Sequence, residues 1–228
     1  MLMKSFILNP LCAVIVSVIF LAPIFLFFIG SASEVIMDFT RVESEVITYM
    51  VYALSFIVIV WCWKAVETKE QKIAYVFSCF LWLCALLREA GIQHMLTQTD
   101  STAFKIAFFR NPNNPLYEKI IAGALLALVA GVVGYLLIKY TVKIVKGFFK
   151  LDPFYWTICT LGVIGVIGKM ADRIPGNYNK YFGERMGADA IAWFSLTEET
   201  FEALLPALFA LALIQFYLMQ KNTKKTVK

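Results

Sequence analysis

A chain of 228 residues that is 60% hydrophobic and 16% charged, with a mean hydropathy of +0.72, is too apolar for a soluble globular domain. It reads as an all-α, polytopic integral membrane protein, in which about six spans of roughly 20 residues leave no room for a separate soluble domain. The net charge of +5 sits mostly in lysine-rich span flanks and gives no support to nucleic-acid binding.

Six transmembrane helices in one bundle are expected, over about 10–30, 46–63, 73–90, 120–142, 153–170 and 199–219. The whole chain, 1–228, then forms a single transmembrane domain, with outer loops over 91–119 and 171–198. The first span imitates a secretory signal, because Lys4 precedes it and Ser31-Ala32-Ser33 resembles a cleavage site. Its apolar run is too long for a signal core, so it is expected to stay attached. The second span, Val46 to Trp63, carries no charged residue.

The third span is charge-free only from Ile73 to Leu87, about 22 Å of helix against a hydrocarbon layer of about 30 Å. It ends in LLREAGIQHM, which carries Arg88, Glu89 and the chain's single histidine, His94. A carboxylate at a helix C-terminus opposes the helix dipole, so Glu89 needs a cationic partner, and Arg88 and Arg173 are the candidates. In the following loop, NPNNP dictates turns and Phe104, Phe108 and Phe109 suit an interfacial segment.

The fourth span carries Gly123, Ala127 and Gly131 at four-residue spacing, a stripe that permits close helix approach. Beyond it, Lys139, Lys143, Lys146 and Lys150 share one helical face, read as a helix leaving the bilayer with its lysines anchoring the topology. Asp152 and Pro153 form an N-cap followed by a first-turn proline, and begin the fifth span. That span has 16 uncharged residues, kept slim on one side by Gly162, Gly165 and Gly168, before Lys169, Asp172 and Arg173. The aromatics of the next loop read as an interfacial belt. The sixth span opens with SLTEETFEALLP, where Ser195 and Glu198 have capping-box spacing. Glu202 lies one turn deeper, and Pro206 has no N–H to give to its carbonyl.

Twelve basic residues fall in the segments assigned to the inner side and nine in the outer ones, where all five arginines lie. Both termini are therefore expected in the cytoplasm.

Ionised side chains at membrane depth tend to pair and to face the bundle interior. Arg88, Glu89, Asp172, Arg173, Glu198 and Glu202 are therefore expected to converge near the outer boundary, with His94 beside them, as a ligand-binding pocket. A hydrolase would draw its catalytic groups from Glu89, His94, Asp172 and Glu202, with His94 as general base or with the four as a mixed carboxylate and imidazole site for a divalent metal. Against zinc chemistry stands the single histidine. Cys12, Cys62, Cys79, Cys84 and Cys159 all lie in spans and read as small apolar residues. No glycine-rich phosphate loop and no haem pattern occurs, and no cofactor is expected.

Three function classes follow. The first is a non-enzymatic protein that binds or moves a lipid-like or small ionic ligand through the outer pocket. The second is a structural or sensing subunit of a larger membrane complex, and the third is the hydrolase. The expected partners are membrane lipids and a homo-oligomer or membrane-complex partner, and the expected location is a bacterial inner membrane.

Overall fold

A computed structural model describes residues 2–29, 34–92 and 106–226. The helices are α1 (Leu2–Ile7), α2 (Cys12–Ile29), α3 (Glu34–Cys62), α4 (Lys69–Glu89), α5 (Ile106–Arg110), α6 (Leu116–Phe149), α7 (Pro153–Phe182) and α8 (Ala188–Thr226). A 3-10 turn at Trp63–Ala65 extends α3, and no strand occurs among the described residues. Among the described residues five segments are long and apolar enough to cross a membrane: Val46–Ala65, Lys69–Glu89, Leu116–Phe149, Pro153–Phe182 and Ala188–Lys224. The described apolar part of α2, Cys12–Ala22, is shorter.

Several helices outrun their apolar runs. α7 passes Lys169, Asp172, Arg173 and Pro175 before it ends at a left-handed Gly183. α8 begins at Ala188 rather than near residue 199, so Ser195 and Glu198 lie inside the helix and do not form the expected capping box. The stretch read as a loop over 171–198 is helical except for 183–187. The physical reason is that charge marks where water begins, whereas a helix stops where the backbone is interrupted, here between Gly183 and Gly187. α4 starts on a capping box in which the Thr68 hydroxyl accepts from the Gln71 amide and Gln71 accepts from the Thr68 amide.

The chain divides into two compact units, one of Met1–Ala65 and Ile144–Lys228, the other of Val66–Lys143. In the first unit α8 is the central helix, packed against α2, α3 and α7. Ala13 of α2, Ile164 of α7 and Phe201, Leu204 and Leu208 of α8 form its core. Trp61 of α3 packs on Tyr217 of α8, ring centroids 4.3 Å apart.

The corner joining α6 to α7 is closely fixed. Leu151 adopts φ 54, while the Leu151 and Asp152 amides donate to the Phe148 and Gly147 carbonyls, the bond pattern of a Schellman motif. The Trp156 indole N–H donates to the Phe148 carbonyl at 2.9 Å and its ring stacks on Phe148. Any Cβ at Gly147 would overlap the Tyr155 ring. As expected, the Asp152 carboxylate caps α7, accepting from the Phe154 and Tyr155 amides. A left-handed conformation is unfavourable for leucine, and the Leu151 side chain is 59% exposed. Leu151→Gly should therefore raise stability by about 1 kcal/mol, read as a higher thermal midpoint of the purified protein.

In the second unit α4 and α6 meet through an edge-on pair of Phe77 and Tyr135, centroids 5.2 Å apart, and through the Tyr140 hydroxyl, 3.4 Å from the Glu70 carbonyl. At the start of α6 the Asn114 amide donates to the Phe108 carbonyl, and Phe108 is wholly buried with Ala122.

Candidate functional site

The lower half of the α7–α8 pair is tied by one buried polar network. The Thr157 hydroxyl lies 2.6 Å from Gln215 Oε1 and 3.0 Å from the Pro153 carbonyl, and its single hydrogen serves one of them at a time. Gln215 Nε2 donates to the Ile7 carbonyl at 3.0 Å, which fastens α1 to α8. Lys4 adds a bond to Asn222. Both Thr157 and Gln215 are fully buried. Gln215 is not among the residues expected to form a site, although a lone amide in ALALIQFYL is a signal, because a polar side chain within a span seeks a partner helix.

Higher up, the two helices touch through glycines. A Cβ at Gly168 would stand 3.1 Å from Phe201 Cβ, and one at Gly165 would stand 3.7 Å from Leu205 Cδ2. The pairings 157 with 215, 165 with 205 and 168 with 201 run in opposite directions, so α7 and α8 are antiparallel. The same register sets Asp172 level with Glu198, and Lys169 level with Glu202 to within about one residue. Lys169, Asp172, Arg173, Glu198, Glu199 and Glu202 therefore occupy one stratum about 8 Å thick along the helix axes.

Within that stratum Lys169 pairs with Asp172, three residues on, and Arg173 is exposed. Glu198, Glu199 and Glu202 are half-buried on α8, around the buried Phe201. Pro206, one turn below Glu202, is buried and cannot donate to the Glu202 carbonyl. Asp172, Glu198, Glu199 and Glu202 thus share this level of the α7–α8 pair with Lys169 and Arg173.

Arg88 and Glu89 belong to the second unit and lie in the last turn of α4. Arg88 Nη2 and Nε donate to Glu89 Oε1 at 2.6 and 3.0 Å. Of the two cations considered for Glu89, the neighbouring Arg88 is thus one that pairs with it. The Glu89 side chain is 15% exposed, so the pair is partly sheltered. His94 lies outside the described residues. Among the described residues no group of three or more His, Cys, Asp or Glu side chains is arranged to hold a metal ion. The five cysteines carry no disulfide, and Cys12 and Cys62 are buried. The chain matches no family model, no curated protein and no solved structure.

Proposed function

We propose that this is a six-span inner-membrane protein of bacteria with both termini in the cytoplasm, which binds or moves a lipid-like or small ionic ligand without catalysing a reaction on it. The topology rests on the lysine bias of the inner segments and on α2 serving as the first span. The function rests on one observation, the half-buried carboxylates Glu198 and Glu202 level with Asp172 inside membrane-length helices. Carboxylates at such depth are costly, and their usual roles are in substrate and ion pathways. Carboxylates accept hydrogen bonds and attract cations, so the ligand class that suits them carries a donor or cationic group, such as an amine headgroup on an apolar body or a small inorganic cation.

The experiment is native mass spectrometry of the full chain purified from native membranes in a mild detergent. Wild-type protein should retain an amine-headed lipid such as phosphatidylethanolamine, and a Glu198→Gln, Glu202→Gln double variant should lose at least about tenfold of it, one such loss corresponding to about 1.4 kcal/mol. Equal retention by the folded variant contradicts the reading.

A further inference from the structure

The second unit carries a groove of about 780 Å³ between α4 and α6, with walls that are almost entirely apolar. Val76 and Phe77 form one wall, Ala127 and Gly131 the other, Tyr135 sits toward one end, and Lys72 is the charged side chain among its lining residues. The small residues predicted to let a helix approach instead leave space here, since a Cβ at Gly131 would meet nothing within 4 Å.

The end of the groove near Lys72 and Tyr135 is cationic. Lys139 donates to the Tyr135 hydroxyl at 3.1 Å. Glu70 is shared by Lys139 at 3.5 Å and Lys143 at 4.0 Å. Lys72 is exposed and forms no ion pair among the described residues. In the stretches 67–72 and 139–143, Lys69, Lys72, Lys139 and Lys143 outnumber Glu67 and Glu70. From Ala127 to Tyr135 the groove follows α6 for about 12 Å, less than half a span. That is short for docking another transmembrane helix. An apolar slot open along its length and cationic at one end matches a molecule with an apolar chain and an anionic head.

We infer that the α4–α6 groove is a binding site for an anionic phospholipid, its acyl chain lying against Val76, Phe77 and Gly131 and its phosphate held by Lys72 with Lys139 and Lys143. Basic pockets between transmembrane helices hold anionic headgroups in this way. The lysines at the end of the fourth span thus do more than fix topology. The inference does not depend on the acidic stratum, which lies in the other unit.

The test titrates the purified full chain in detergent with dioleoyl phosphatidylglycerol and, separately, dioleoyl phosphatidylcholine, and counts bound lipid by native mass spectrometry. Wild type should favour phosphatidylglycerol. Lys72→Gln should weaken phosphatidylglycerol binding about fivefold and leave phosphatidylcholine unchanged, because one juxtamembrane lysine contributes on that order. Gly131→Leu fills open space and should weaken both lipids. Lys146→Gln, which removes the same charge about 16 Å farther along α6 from Tyr135, should change neither. Equal weakening by Lys72→Gln and Lys146→Gln means diffuse attraction and overturns the site, as does unchanged phosphatidylglycerol binding by Gly131→Leu. A Gly131→Leu variant that alters the oligomeric mass while lipid counts stay constant identifies the occupant as a second copy and also overturns it.

Discussion

Replacing Gly168 by leucine is expected to destabilise the protein by about 3 kcal/mol or more and to lower its thermal midpoint by roughly 6–12 °C, at 2–4 °C per kcal/mol for a chain of this size. The cause is the atom opposite. The nearest neighbour of a Cβ at Gly168 is Phe201 Cβ, 3.1 Å away, which is fixed to the α8 backbone and cannot swing aside. Phe201 is itself part of the buried core with Ile164, Leu204 and Leu208. A leucine there must push α7 from α8 at the height where Asp172, Glu198 and Glu202 lie. Gly168→Ala adds only the crowded methyl and should cost about 1 kcal/mol. A leucine variant that melts with the wild type would mean the helices do not meet at this point, and the register that groups the carboxylates would fall with it.

Gln215→Ala is the second large effect, again about 3 kcal/mol. Truncation leaves a cavity in a fully buried position and strips the Ile7 carbonyl of its donor. Thr157 is less affected, because its hydroxyl can turn wholly to the Pro153 carbonyl at 3.0 Å. Gln215→Leu restores most of the volume without the hydrogen bonds and should cost about 1–2 kcal/mol, since bonds between membrane helices average well under that each. The comparison of thermal midpoints for the two variants separates packing from hydrogen bonding. Equal midpoints for alanine and leucine would show that the amide, and not its volume, holds α1 and α7 to α8.

How much of this was legible in the sequence depends on which physical signal each feature left. Apolar runs mark the cores of the membrane-length helices, and Asp152-Pro153 marks the start of α7, because both act locally. Charge is a poor marker of helix ends: α7 runs on to Phe182 and α8 begins at Ala188, since a helix crosses into water freely and stops at Gly183. The Thr68 capping box is equally legible from its T-x-x-Q spacing. The acidic stratum was half readable. The cost of burying Asp172, Glu198 and Glu202 signals that they need company, but their common height depends on the five-residue connection at 183–187, and a 28-residue loop would leave the register open. Leu151 gave no signal at all, because leucine is not a residue whose left-handed conformation a sequence announces.

The most direct measurement is an experimental map of the full chain in lipid nanodiscs at a resolution that shows side chains. The account predicts non-protein density in contact with Glu202 or Glu198, level with Asp172 and bounded by α7 and α8. Carboxylates turned out toward the lipid, or engaged only with Lys169 and Arg173 with no ligand at their level, would contradict it.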